Sequence, residues 1–397
     1  MYHLIMKELA KGSTRSGRWE RQPGPEPYRC FFPAPLPPNP PLDLSERLLI
    51  AQDRATKALA RLDGMAALLP NPGLILYAYV RKEAVLSSQI EGTQSSLSDL
   101  LLYENRQAPG VPTSDVHEVS NYVAALEHGL KRLKGGFPMS LRLIKEVHGV
   151  LLKGTRGEDK RPGEFRTSQN WIGGTRPGNA IYVPPPPHEV LPAMGALEKF
   201  VHGEPVQTAT LIKTGLVHAQ FESIHPFLDG NGRVGRLLIP LLLHTEGALA
   251  YPLLYLSLYF KQRRAEYYEA LMNVRLRGAW EEWLAFYLAG VEEVAKESAE
   301  TAGRAVKIFA ADRRKLEALG KASVSALKLH GLLEKHCLLS LALARKELGL
   351  SLPTVTQAMA RLQRLGIVQE ISGKRRKQVF SYHAYWKLLS KGMEKAG

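Results

Sequence analysis

Apolar residues recur at helical spacing along most of this 397-residue chain, and the few places where that rhythm breaks limit what it can build. The spacing predicts helices over Leu44–Leu69 and Leu74–Tyr103. QAPGVPTSD then interrupts, and Ser114 or Asp115 can cap a helix running through Leu133. Ser140 caps another that reaches Leu152. Residues 154–187 change character. GTRGEDKRPGEFR reads as a loop, while QNWIGG and AIYVPP are strand-prone runs separated by TRPGN, the pattern of a β-hairpin. Helical spacing resumes at His188 and continues to about Arg304, broken only at His225–Gly232, where Pro226, Gly230 and Gly232 crowd together. The expectation is a mainly α chain: a helical bundle carrying a β-hairpin. No internal repeat of solenoid length is present.

The two ends differ from this middle. Residues 1–45 are rich in Arg, Gly and Pro, and FFPAPLPPNPPLDL must run extended because successive prolines fix φ and remove donors. We read this stretch as a linker or a strap over the next domain. Beyond a charged helical segment at 305–321 comes a compact pattern. Ser323–His336 and Leu341–Leu348, closed by Gly349, are helices; Ser351-Leu-Pro-Thr is a turn; Val355–Leu365 is a third helix, stopped by Gly366. IVQEI and QVFSY then flank SGKRRK. That order is the winged helix-turn-helix order. The chain accordingly divides into an N-terminal region 1–110, a core 111–304 and a C-terminal domain 305–397.

Charge separates the C-terminus further. Lys and Arg number 53 against 38 Asp and Glu, for a net charge of +15. Residues 340–397 hold 11 Lys/Arg and 3 Asp/Glu, so +8 falls in those 58 residues and +7 in the remaining 339. A chain this basic suits an anionic partner such as nucleic acid, nucleotide or an acidic protein face. The wing turn Lys374, Arg375, Arg376 and Lys377 and the polar side of the third helix (Thr354, Thr356, Gln357, Arg361, Arg364) suggest DNA backbone contact. A protein-docking or dimerising role fits them equally well. The two cysteines, Cys30 and Cys337, are too distant for a disulfide framework or zinc spacing, which fits a reducing cytoplasm. The first residues lack the apolar core of a signal peptide, and Leu237–Leu243 and Ala248–Phe260 are too short to span a bilayer, so no membrane partner is expected.

The chemistry concentrates in His225-Pro-Phe227-Leu-Asp229-Gly230-Asn231-Gly232-Arg233-Val-Gly-Arg236, which runs into LLIPLLLH. Two glycines around an asparagine at a helix start can aim several backbone N–H groups at an anion, and the helix dipole adds to the attraction. Arg233 and Arg236 project from the first helical turn, and two guanidinium forks beside an amide nest suit a polyphosphate. Asp229 is the natural Mg2+ ligand, because magnesium takes one or two protein carboxylates plus substrate phosphates. His225 stands at the loop entrance and titrates near neutrality, as a general base should.

This segment resembles the Fic family signature H-x-F-x-[D/E]-G-N-G-R-x-x-R and meets it at every defined position. The resemblance covers roughly residues 25–300. It implies a Fic-type helical bundle with a β-hairpin flap and a protein adenylyltransferase that moves AMP from ATP to a Ser, Thr or Tyr hydroxyl of a target protein. By position, His225 would deprotonate that hydroxyl and Phe227 would bury its ring to fix the loop. Asp229 would hold Mg2+, while Asn231 with the Gly230 and Gly232 amides, Arg233 and Arg236 would bind phosphate, Arg236 at the γ position. Residues 170–187 would be the flap on which the target docks as an added strand. Tyr267 falls where relatives line the adenine site.

A second motif, Ser87-Ser-Gln-Ile-Glu91-Gly92, resembles the family's [S/T]-x-x-x-E-[G/N] inhibitory motif. The resemblance implies that Glu91 pairs with Arg236 and displaces the γ-phosphate, so that the enzyme is autoinhibited; the same glutamate can position a water that removes AMP. Two rival readings stand beside this one. The chain could be a DNA-binding transcriptional regulator whose Fic domain senses nucleotide, or a Fic transferase using UTP, GTP or a CDP-alcohol. A homodimer is compatible with each.

Overall fold

The computed structural model describes residues 13–23, 26–67, 72–105, 112–320, 323–373 and 378–391. In chain order the elements open with strands β1 (Ser13–Thr14), β2 (Gly17–Gln22) and β3 (Tyr28–Pro33). Helices α1 (Glu46–Ala67), α2 (Pro72–Ile90), α3 (Leu97–Glu104), α4 (Thr113–Lys134) and α5 (Leu141–Leu152) follow. Next come α6 (Pro187–Val201), α7 (Thr210–Ile224), α8 (Asn231–Thr245), α9 (Ser257–Gln262), α10 (Arg264–Arg277) and α11 (Trp280–Glu317). The C-terminal elements are α12 (Ser323–His336), β4 (Leu338–Ser340), α13 (Leu341–Leu348), α14 (Leu352–Arg364), β5 (Val368–Glu370), β6 (Val379–Tyr382) and α15 (His383–Ser390). None of the helices searched among the described residues is long and apolar enough to cross a membrane.

The chain divides into two compact units, Met1–Ala60 with Asn121–Val294 and Arg61–Ser120 with Ala295–Gly397. This cuts across the three consecutive regions expected from the sequence. In particular, the basic C-terminal elements share a unit with residues 61–120.

In the first unit the N-terminal stretch is more than a strap. β1, β2 and β3 form an antiparallel sheet in that order, with Trp19 opposite Phe31 and Gln22 opposite Tyr28. Trp19 and Phe31 bury against Tyr182 and Leu276, with the Trp19 and Tyr182 rings edge-on at 5.8 Å. The proline run that follows, 34–45, has neither helix nor strand and bends at Leu36–Pro37 and Asn39–Pro40.

At the centre lies α7, buried on every face from Leu211 to Ile224. A helix buried all round must satisfy its polar members internally. Lys213 Nζ donates to Glu246 Oε1 at 2.9 Å, Gln220 Nε2 to Ala34 O at 2.8 Å and Ser223 Oγ to Ala219 O at 2.8 Å. α8 packs along α7, burying Arg233 to Leu243 almost without interruption. At Gly235 a Cβ would lie 2.5 Å from Glu222 Oε1, so a larger residue there would force the Glu222 carboxylate to shift.

The second unit is built on caps the sequence already shows. Ser96 and Asp99 form a reciprocal capping box on α3. Ser340 caps α13, Ser351 caps α14, and Gly349 closes α13 at φ 64°. β4, β6 and β5 make an antiparallel sheet in that order, in which β4 and the closing helix α15 were not expected from the sequence. α12 and α15 pack on α2. Tyr77 donates to Glu104 at 2.5 Å, Arg81 forks onto the same carboxylate, and Asn105 exchanges hydrogen bonds with Leu338 O and Ser340 N. The expected DNA contacts Lys374, Arg375, Arg376 and Lys377 lie outside the described residues.

Candidate active site

α7 ends abruptly. His225 N–H still donates to Phe221 O at 2.9 Å, but His225 itself turns left-handed, at φ 51° and ψ 59°. For a residue with a Cβ this conformation costs about 1–2 kcal/mol. It also leaves the last carbonyls of a buried helix without helical partners, a burden that must be met from elsewhere.

Three side chains and one backbone amide meet it. Arg275 Nη2 donates to Glu222 O at 2.9 Å, and Tyr182 donates its hydroxyl to Ser223 O. Arg166 Nη2 reaches Ile224 O at 3.4 Å, Arg166 Nε reaches His225 O at 3.0 Å, and the Arg166 backbone N–H donates to Pro226 O at 2.9 Å. Two guanidinium groups at a helix C-terminus also match the negative end of its dipole. The His225 side chain keeps only 16% exposure. Burial first, and then the positive charges of Arg275 and Arg166, push its imidazole down to about 3. His225 is therefore neutral around pH 7 and, against the expectation from its residue type, does not titrate near neutrality, because burial disfavours the charged ring. Its Nδ1 has no hydrogen-bond partner among the described residues, Glu222 Oε2 standing 4.0 Å away.

The loop beyond His225 is pinned from below. Phe227 is fully buried and its ring stacks on His148 at 3.7 Å and 6°. His148 Nδ1 accepts from the Gly163 N–H at 2.8 Å, so its proton must lie on Nε2, which donates to Asp229 O at 3.1 Å. Burial pushes His148 down to about 4, which keeps that tautomer neutral. Asn231 closes the loop: its Oδ1 accepts from Phe227 N and its Nδ2 donates to Phe227 O, both at 2.8 Å. This corrects the expectation that the Asn231 side chain binds phosphate. Its amide is 2% exposed and spans the loop instead.

What remains facing the helix start is an anion-binding arrangement. Gly230 takes φ 77°, and the first intrahelical bond of α8 runs from Val234 N to Gly230 O at 3.0 Å. The amides of Asn231, Gly232 and Arg233 precede that bond and carry the positive end of the dipole. Arg233, in the first turn, and Arg236, three residues further on, are only 6% and 2% exposed. Asp229 is half-exposed; its Oδ1 accepts from Gly230 N at 2.6 Å and lies 3.5 Å from Arg233 Nη2. One half-exposed carboxylate fits a magnesium ion that draws its other ligands from phosphate and water.

The flap is slighter than the sequence suggests. Ile172 and Tyr182 form a single antiparallel bridge, with a short 3-10 turn at Pro177–Asn179. Trp171 and Ile181 are exposed on it, Asn170 Nδ2 donates to Phe227 O at 2.8 Å, and Val183 O accepts from Phe31 N at 2.9 Å.

The structure thus gathers His225, Phe227, Asp229, Gly230, Gly232, Arg233 and Arg236 at one helix–loop–helix junction. Tyr267 is not on its surface. It is 1% exposed, stacks on Phe260 at 4.4 Å and shares a 2.8 Å hydrogen bond with His218 Nε2, which makes it a core residue and leaves Tyr268 as the exposed member of the pair. Ser87, Glu91 and Gly92 belong to the second unit, where Ser87 is fully buried and Glu91 and Gly92 are exposed in the turn after α2. Sequence reasoning missed His148, Arg166 and Arg275. Each is a lone polar residue in a helix or loop with no local pattern to mark it.

Comparisons with known proteins bear on this geometry. Residues 49–131 match the Fic/DOC family N-terminal domain and residues 138–243 match the Fic/DOC family domain. The chain is 31% identical over 241 residues to a protein adenylyltransferase Fic of Drosophila grimshawi, covering 57% of this chain and 44% of that protein. The Drosophila melanogaster counterpart is 30% identical over 241 residues, with 57% and 43% covered. The chain therefore spans less than half the length of these curated relatives. A crystal structure of a Fic family protein from Desulfovibrio desulfuricans is similar in fold, with a TM-score of 0.56 at 19% identity over 86% of this chain and 97% of that one.

Proposed function

We propose that the chain, which matches Fic/DOC family models over residues 49–131 and 138–243, is a protein adenylyltransferase of that family, moving AMP from ATP to a Ser, Thr or Tyr hydroxyl of a target protein and of itself. The observation that carries this reading is the neutral His225 whose backbone is pinned at the foot of an anion-binding helix start. The acceptor hydroxyl gives its proton to the imidazole, its oxygen forms a bond to the α-phosphorus, and the bond from that phosphorus to the α–β bridging oxygen breaks. Pyrophosphate departs with the electron pair. Charge builds on oxygens that the α8 amides, Arg233 and Arg236 would stabilise. Asp229 would hold Mg2+, which when bound neutralises phosphate charge.

The Ser87–Gly92 segment is read as a restraint on this activity, with Glu91 competing for Arg236. The same carboxylate orienting a water would make the enzyme able to remove AMP. The elements α12–α14 with β4–β6 are read as a winged helix-turn-helix; α14 exposes Thr356, Gln357 and Arg364, which suits DNA phosphates. Failure of the full chain to shift any duplex at low salt would favour protein docking instead.

The direct test incubates the full chain and its Glu91→Gly variant with magnesium and each of four α-labelled nucleoside triphosphates, followed by intact mass. Label retained from ATP supports the reading. Label from another nucleotide alone reassigns the donor, and none from any of them overturns transfer.

A further inference from the structure

The segments that lead into and out of the flap converge on one buried side chain. Arg166, 2% exposed, lies four residues before Asn170, where the flap begins. Its guanidinium has two sets of partners. On one side Nη1 donates to Ser168 O at 3.4 Å and Nη2 to Pro185 O at 2.5 Å, so the two stems of the flap are held by one planar group. On the other side Nε and Nη2 hold His225 O and Ile224 O at 3.0 and 3.4 Å. The Arg166 amide adds Pro226 O at 2.9 Å. The flap contributes a second tie of its own, the Tyr182 hydroxyl on Ser223 O.

We propose that Arg166 is a positioning residue that locks the flap and the His225 backbone into one frame. A hydroxyl presented along the flap is thereby delivered at a fixed distance from the imidazole. The assignment rests on the adenylyl-transfer reading above for what is delivered, and on the geometry alone for the lock itself. A guanidinium suits the task because its donors lie in one plane at fixed angles, so they cannot adjust independently as a lysine ammonium can. The left-handed His225 needs such a lock, since that conformation persists only when its surroundings over-determine it. Arg166 meets no reacting atom in this account and acts through the carbonyls of Ile224, His225 and Pro185. Misplacement of a reacting group by about 1 Å can cost roughly 100-fold in rate, so loosening the frame should act on turnover.

The experiment compares the full chain with Arg166→Lys and with Tyr182→Phe. Hydrogen exchange is followed in peptides covering 168–185 and 221–229, with α8 as the internal reference. The expected result for Arg166→Lys is a rise of tenfold or more in both segments together and none in α8. Tyr182→Phe is expected to raise both by a smaller factor. Exchange within twofold of the parent in either segment overturns the lock. Should Arg166→Lys fail to fold, Tyr182→Phe is judged by the same rule. In the Glu91→Gly background, Arg166→Lys is expected to lower kcat for AMP transfer at least tenfold while the ATP dissociation constant stays within twofold. A kcat within twofold of the parent, or a loss borne by ATP affinity, overturns the positioning role. If that background shows no transfer at all, the adenylyltransferase reading fails and the exchange experiment still decides the lock.

Discussion

Acid should unfold the first unit well before its carboxylates are protonated. His148, His218 and His225 are all buried there, and burial is the largest cause of each shift, holding them at about 4, about 3 and about 3 against an ordinary 6.5. A folded-state value below the unfolded one means that the native protein refuses a proton the unfolded chain accepts. Stability from this source is complete above pH 6.5 and is lost as pH falls from there toward 4. Each such group contributes about 1.4 kcal/mol per pH unit inside that window. Three of them give about 4 kcal/mol per unit near pH 5, against a total of about 5–15 kcal/mol for an ordinary domain. Urea unfolding of the full chain at pH 7.5, 6.5, 5.5 and 5.0 measures the slope. His148→Gln retains a donor for Asp229 O and removes one titrating group, so it should be weaker at pH 7.5 yet show a slope shallower by about one proton. A midpoint that stays flat between pH 7.5 and 5, or an unchanged slope in His148→Gln, would refute the assignment of neutral buried imidazoles.

Three shorter predictions follow from the site. His225→Ala should lower AMP transfer by about 10²–10⁴ while ATP still binds, read by labelled transfer beside calorimetry; retained transfer within a few-fold would remove His225 from the role of base. Asn231→Ala leaves the buried Phe227 N–H without its partner, at about 1–3 kcal/mol, while Asn170 still donates to Phe227 O, so the urea midpoint should drop measurably, and a neutral effect would mean the loop closes without that amide. Glu91→Gly should raise self-modification. Because Glu91 is exposed, a pair it makes is worth up to about 1 kcal/mol, so a gain of about fivefold is the expected scale, and no gain would leave Ser87–Gly92 an ordinary helix end.

The sequence by itself determined what is local. Ser140, Ser340 and Ser351 cap the helices they precede, because capping bonds close within three residues. The stretch His225–Arg236 was legible for the same reason: glycines around an asparagine at a helix start and two arginines three residues apart are properties of twelve consecutive residues, whereas the left-handed turn of His225 was not. Tertiary structure decided whatever depends on residues far apart in the chain. The sheet of β1–β3 escaped notice because its pairing and its burial against Tyr182 and Leu276 are not written in an Arg-, Gly- and Pro-rich composition. Asn231 fits a phosphate ligand by type, yet the fold turns its amide onto Phe227, and Tyr267 is withdrawn into the core by the buried His218. Arg166 stands 59 residues from His225, Arg275 53 from Glu222 and His148 81 from Asp229. A buried helix end must find partners for its carbonyls, and the chain supplies them from wherever the fold brings a donor close. The residues that carry the chemistry are therefore contiguous and readable, while those that hold them in place are scattered and become visible only once the helices are packed.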